Sequence, residues 1–449
     1  MSAKTHATKP TRLAVILGWI GLALALASAI PLGANRPVSW VVLGGAVLVP
    51  FVLQTAFAWR RPDGGAWLAV AGFLYLGVLA WLGLQLLPVW SAPVTHPVWS
   101  LVQEGGPISA DPISGAHIIL RLATYSMIFW LVLQASSDPE QAMRMMMAVA
   151  VASALIAGFG LVAWFVGTNP VTGAERSTVV TGTFVNRNHF ATFAVFGLLA
   201  NLGAYAHLAA RGRRGDRREL RDALESFFSG AWVFGLGVLI CLSAILLSQS
   251  RGGAVAAVAG VFCFLGLYGR RGSSRLALAA VAALMAFAFV SLSSGTLSRL
   301  FLTDGEEGRL MIFPAVIDAI ADRPWIGHGA GAFHEAFRPY KPQTFAAVEV
   351  DFAHSSYLEA AFEYGLPAAI AFYSALLIVV LAIAMKGMAR RRYRSLPIVA
   401  AAASAAAAVH AMVDFSLQIP ANAALFAALL GIGWAQAFRP RSGKRREDA

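Results

Sequence analysis

The sequence predicts an all-α polytopic membrane protein with about 12 transmembrane helices and a helical lobe between spans nine and ten. Three observations predict it. Hydrophobic residues fill 58% of the 449 positions and charged residues only 13%, where a soluble domain carries roughly a quarter. Apolar runs near the roughly 20 residues that cross a bilayer recur along the chain. Lysine and arginine gather in alternate connecting segments, the pattern that orients multi-span proteins.

The apolar runs lie at 13–33, 38–58, 66–90, 117–134, 143–166, 188–210, 229–247, 253–268, 276–294, 366–385, 396–413 and 420–438. With both termini on the cytoplasmic side, the inward segments hold 25 of the 35 lysines and arginines, including six arginines between Arg211 and Arg221 and five cations between Lys386 and Arg394. The net charge of +12 is thereby explained as a topology signal, and nucleic-acid binding is set aside. Ala27-Ser28-Ala29 imitates a signal-peptidase site. Retaining the first helix keeps the charge alternation intact. Cys241 and Cys263 each fall inside an apolar run, a placement that fits neither a disulfide framework nor a metal cluster.

This order divides the chain into residues 1–294 with nine spans, an outward lobe at 295–365, and residues 366–449 with three more spans and a basic tail. A connection of some seventy residues is too long for an ordinary linker. Phe313, Val316, Ile317 and Ile320 recur at helical spacing within it, marking an amphipathic helix. Pro324 follows, and Gly327, Gly329 and Gly331 form a turn region. With no preceding strand, these glycines are turn formers and carry no nucleotide fingerprint.

The most informative stretch is Asp351-Phe352-Ala353-His354-Ser355-Ser356-Tyr357-Leu358-Glu359. Ser356 and Glu359 have capping-box spacing, which predicts a helix from about Tyr357 through Glu363. His354 then precedes a helix N-terminus, whose partial positive charge favours the neutral imidazole, the form that can accept a proton as a general base. The exposed N–H groups there could also hold a phosphate. The structural alternative is a surface histidine bonded to Asp351 or Glu359. No histidine, cysteine and carboxylate cluster at metal-ligand spacing is visible in the lobe, and neither a metal nor another cofactor is expected.

Four arginines are candidates for binding an anionic substrate: Arg121 within the fourth span, Arg187 beside Asn186 at the entry of the sixth, Arg251 in the Ser248–Gly253 turn, and Arg309 opening the amphipathic helix. A guanidinium grips phosphate oxygens in a bidentate fork, and an arginine inside the membrane usually faces a cavity or a partner. The alternative for each is snorkelling or a structural ion pair.

Four segments together resemble the O-antigen ligase and polymerase superfamily: VNRNHFATF (185–193), SQSRGG (248–253), Gly308-Arg309 through AHSSYLEAAFEYG (353–365), and HAMVDFSLQIPAN (410–422). The resemblance spans about residues 180–430. It implies a glycosyltransferase of the GT-C type in the bacterial inner membrane, with its active site periplasmic. The implied donor is an undecaprenyl-diphosphate-linked glycan, with neither nucleotide sugar nor metal required. The acceptor would be the lipid A-core or a growing glycan, because the last segment looks as much like exopolysaccharide polymerases as like lipopolysaccharide ligases. The resemblance further makes His354 the base and has Arg251 and Arg309 engage the diphosphate. Asp351 would orient His354. A protein O-oligosaccharyltransferase is the nearest alternative. A solute transporter is disfavoured, since no internal repeat is visible and the polar candidates gather at the outer face.

Overall fold

The computed structural model describes residues 10–101, 105–212, 230–269, 307–345 and 349–439. No β-strand forms among them, as expected where backbone groups must be satisfied within each segment. In chain order the helices are α1 (Arg12–Ala27), α2 (Pro37–Phe57), α3 (Gly65–Gln85), α4 (Pro112–Ala135), α5 (Pro139–Val166), α6 (Arg187–Gly212), α7 (Ala231–Leu247), α8 (Arg251–Tyr268), α9 (Glu307–Asp322), α10 (Ser356–Tyr364), α11 (Leu366–Met388), α12 (Ser395–His410) and α13 (Pro420–Phe438). A single helical turn, Phe333–Ala336, lies between α9 and α10.

Eight of these helices are long and apolar enough to cross a membrane: α2, α3, α4, α5, α6, α8, α11 and α13. Three shorter apolar helices, α1, α7 and α12, fall on the first, seventh and eleventh expected runs. The expected ninth span at 276–294 lies outside the described residues, as do the start of the lobe and most of the 211–221 basic loop.

Local chemistry sets several boundaries. Asp111 and Asp138 each accept two backbone N–H bonds at the start of α4 and α5, and each is followed by proline at the first helical position. Ser250 Oγ accepts from Gly253 N–H and opens α8.

The interior of the bundle is built from small residues. α12 and α13 are rich in alanine and buried along most of their length. α13 packs on α4, α11 and α12 and also touches α1, α5 and α6. Small side chains let helix backbones approach closely where lipid supplies no hydrophobic drive between helices. Gly433 is such a position, since a Cβ there would stand 2.3 Å from that of Ala400 on α12.

A second apolar cluster joins α9 to the segments after it, through Ile312, Val316, Ala319, Phe333, Phe337, Val350 and Phe362. The amphipathic helix therefore forms, but its buried face is Ile312, Val316 and Ala319, while Ile317 is exposed. The aromatic rings of Phe333, Phe337 and Phe362 draw that face round the helix. This cluster is tied to the spans by Gln85 at the end of α3. Its side chain donates to the carbonyls of Ile326 (2.8 Å) and Glu363 (3.1 Å) and accepts from Ala330 N–H (3.2 Å). The glycine-rich turn is required by this packing. At Gly329, where φ is +108°, a Cβ would sit 2.2 Å from Ser109 Oγ.

Candidate functional site

The segment 410–422, between α12 and α13, is the hub of one end of the bundle. From α6, Thr192 Oγ1 lies 3.4 Å from His410 Nδ1. His189 Nε2 lies 3.9 Å from Asp414 Oδ1, and its ring packs on Phe415 at 4.8 Å between centroids. Asn422 donates to the carbonyls of His189 (3.0 Å) and Ser416 (3.1 Å). From α8, a Cβ on Gly252 would lie 3.1 Å from His410 Nε2, and one on Gly253 would lie 2.5 Å from that of Ala191. The two glycines thus let the start of α8, with Arg251, press against α6 and α12. His189, His410, Asp414 and Asn422 are all buried.

The 351–359 stretch reaches the same hub. Phe352 stacks on Phe415 at 3.9 Å between centroids, and His354 lies 5.5 Å from that ring. Ser356 N–H donates to the Ala411 carbonyl (2.9 Å) and its hydroxyl to the Asp414 carbonyl (3.0 Å). The backbone at His354 is left-handed, with φ +53°, a conformation that costs about 1–2 kcal/mol outside glycine and concentrates at functional sites.

The expected capping box does not form. α10 begins at Ser356, and Ser355 before it makes no side-chain cap bond. Glu359 turns away from the helix start: Oε2 accepts from Ala353 N–H (2.9 Å) and Oε1 from Gln418 Nε2 (2.8 Å). The carboxylate therefore fastens the residue immediately before His354. Asp351, expected to orient His354, pairs with His334 Nδ1 at 3.0 Å. The competing demand of His334, held close by the Phe333–Ala336 turn, explains that placement.

The arginines divide. Arg121 donates to the Gln418 carbonyl at 3.3 Å and sits 5.6 Å from the centre of the Trp40 ring. It joins the hub through Gln418 and hence Glu359. Arg251 opens α8 at the hub. Arg187 is exposed at the start of α6, with Asn186 beside it accepting from Asn188 N–H at 2.8 Å. Arg309 lies in α9, and its side chain is outside the described residues.

The sequence did not single out Asp414, His189, His410 or Gln418. Their signal was present only as members of the two resembling segments, since each is embedded among apolar neighbours. It marked Glu359 only as a capping residue or a partner of His354, and gave no sign that the carboxylates of Glu359 and Glu363, one turn apart on α10, are both buried. Burial raises the pKa of both, and the charge of Glu359 raises Glu363 further. Two carboxylates withdrawn from water disfavour simultaneous ionisation. Glu363 Oε1 accepts from Phe333 N–H at 3.3 Å, binding α10 to the single turn that carries His334.

Beyond the hub, His96 Nε2 and His328 Nδ1 meet at 3.1 Å, and His328 Nε2 lies 2.9 Å from the Ala319 carbonyl. Burial, with His328 and Arg323 nearby, pushes His96 down to about 3. Burial likewise lowers His328 to about 4. Arg323 donates to the carbonyls of Val94, Thr95 and Gly327, so the pair is locked into loop backbone.

The hub can hold an imidazole, a buried carboxylate and guanidinium groups at the mouth of a helical bundle, the components of proton removal and anion binding. The sequence matched no curated protein. Residues 236–373, from α7 into α11, match the family described as O-antigen ligase. That stretch contains Arg251, Arg309, Asp351 and His354. Arg121, Arg187, Asn186 and the 410–422 hub lie outside it. The chain is a multi-pass membrane protein in which residues 236–373 match the O-antigen ligase family.

Proposed function

We propose that the protein transfers an undecaprenyl-diphosphate-linked glycan to an acceptor hydroxyl on the periplasmic side of the bacterial inner membrane. The observation that carries this reading is the meeting of residues 186–192, 250–253, 352–359 and 410–422 at one end of the bundle. The matched family domain supports glycan transfer as the reaction class. The excess of cations in alternate loops supports cytoplasmic termini, and so a periplasmic face for this end.

In this mechanism His354 removes the proton from the acceptor hydroxyl as the oxygen attacks the anomeric carbon of the donor sugar. The bond from that carbon to the diphosphate oxygen breaks, and the diphosphate leaves on its polyprenyl carrier. Arg251 and Arg309 offset the charge developing on the leaving group, an effect strongest where water is scarce. Arg121, Arg187 and Asn186 contribute to holding diphosphate and glycan. Asp351 fastens the His354 segment to the single turn at 333–336 through His334. The displacement requires no metal ion, and transfer in EDTA-treated membranes is expected to persist.

The test is a deletion strain complemented with wild-type or His354→Ala protein, with lipid-linked and finished glycans separated by size. Lost ligation leaves long polymer on the carrier lipid. Lost polymerisation leaves single repeat units. A His354→Ala strain with wild-type glycans at normal membrane abundance would remove the proposed base and with it the mechanism.

A further inference from the structure

At the end of the bundle opposite the hub, the start of α3 meets the ends of α11 and α13 around a cleft of about 500 Å³. Lys386, Arg390 and Arg439 line it, with no aspartate or glutamate among the lining residues. Its apolar wall is Trp67 and Phe438. Gly64 shapes the floor, because with φ +78° a Cβ there would fall 2.4 Å from the Phe438 ring.

The three cations are not equivalent. Arg390 donates to the Ala437 carbonyl through Nη2 (2.7 Å) and Nε (3.1 Å) and also to the Arg439 carbonyl. It caps the last carbonyls of α13 and offsets their partial negative charge. Lys386 is exposed and Arg439 half-buried, and they present their charge at the cleft rim. From the cleft an apolar surface continues along the two packed helices: Trp67, Val70, Phe73 and Leu76 on α3, and Met385, Leu381 and Leu377 on α11 are all exposed.

We propose that this cleft binds the headgroup of an anionic glycerophospholipid drawn from the leaflet at this end of the bundle. The headgroup phosphate meets Lys386 and Arg439 above the capped end of α13. The acyl chains lie along the exposed faces of α3 and α11. A free phosphate ion would use the cations but leave that apolar surface uncovered, and basic pockets between spanning helices suit phospholipid headgroups. The proposal makes no use of the glycan-transfer reading and stands or falls separately from it.

The experiment is native mass spectrometry of the full chain in detergent, titrated with phosphatidylglycerol or with phosphatidylcholine. Wild-type protein is expected to retain phosphatidylglycerol in preference. Lys386→Gln/Arg439→Gln should lower its affinity by about thirtyfold, about fivefold for each cation removed. Arg391→Gln/Arg392→Gln removes equal charge from exposed positions outside the cleft lining and should retain the lipid. Inorganic phosphate at millimolar concentration should not displace it. Equal binding of the two lipids, equal loss in the Arg391/Arg392 control, or displacement by inorganic phosphate would each overturn the assignment. If the double cleft variant fails to fold, Lys386→Gln alone decides. Its position on α11 is exposed, and wild-type occupancy there would likewise overturn the proposal.

Discussion

The two ends of α13 meet the bundle through opposite chemistry. At its beginning, Asn422 is fully buried and bonded to two carbonyls, and the residues before it thread polar groups between α6, α8, α10 and α12. At its finish, Trp434 and Phe438 stack on each other and cations stand at a cleft rim. Nothing in the apolar character of the helix announces which end is which. The difference lies in commitment. A polar group buried with specific partners is costly to disturb because its partners are left unsatisfied. A cation at a rim is exchangeable against solvent and salt. Substitutions at the first end should therefore change turnover or folding, and substitutions at the second should change only what binds there.

The largest expected effect tests the first end directly. His354→Ala should lower glycan transfer by about a hundredfold to ten-thousandfold, the span typical of a lost general base, at unchanged membrane abundance. Arg251→Ala should act on donor engagement instead, with Arg251→Lys rescuing only in part because the guanidinium fork is lost. Comparable loss from Lys386→Gln would break the comparison, since that residue lies at the opposite end.

Next in size is Asn422→Leu. It removes the donor shared by the His189 and Ser416 carbonyls, and each carbonyl left unpaired costs about 1–3 kcal/mol. Thermal unfolding of the purified protein in detergent should fall accordingly. An unshifted midpoint would mean that solvent already reaches this end of α13.

How far the sequence disclosed these two ends differs by residue. The apolar helices were legible because a bilayer demands a fixed apolar length: eight of the expected runs form helices long and apolar enough to cross it, and three more form shorter apolar helices. The order of burial was not. α3 is the more apolar helix, yet it is far more exposed than α13, because a membrane protein buries small residues and turns large ones toward lipid. His354 and Arg251 were legible by residue type within punctuated segments. Gln418 and His410 were hidden, because their partners Glu359 and Thr192 lie 59 and 218 residues away along the chain. The capping box failed for a related reason. Glu359 had a local partner by spacing, and a distant glutamine and the Ala353 amide took its place.

Glu359→Gln sharpens the comparison at smaller amplitude. The amide keeps the shape but sets a donor against either Ala353 N–H or the Gln418 side chain, at a cost of about 1–3 kcal/mol. The sign of its pH dependence is fixed by burial, which raises the Glu359 pKa above its ordinary value. The folded state then binds the proton more tightly, so this contribution is complete at acidic pH and is lost as pH rises through the raised value. The stability gap between wild type and Glu359→Gln should therefore narrow from pH 6 to pH 8. A gap that widens would show that the ionised carboxylate is the favoured form in the fold.

The smallest expected effect has the opposite sign. His96 and His328 are lowered to about 3 and about 4, so the folded state binds their protons less readily than the unfolded chain does. Their contribution is present above the ordinary histidine value near 6.5 and is lost as pH falls from there toward the folded values. Between pH 7 and pH 6 the two together amount to about 1.4 kcal/mol, the slope steepening toward about 1.4 kcal/mol per pH unit for each ring at lower pH. The charged groups around the pair pull in opposite senses, and burial sets the direction. Arg323 opposes a second positive charge, whereas Asp322, which accepts the Tyr340 hydroxyl at 2.6 Å, favours one on His328. Amide exchange across residues 312–340 reads this locally. Protection should fall between pH 7 and pH 6 after correction for the intrinsic rate, and His96→Gln/His328→Gln should flatten that change. Unchanged protection in the wild type would mean that the imidazoles titrate as freely in the fold as out of it, and that burial of a polar ring near the hub carries no more consequence than display of a cation at the opposite end.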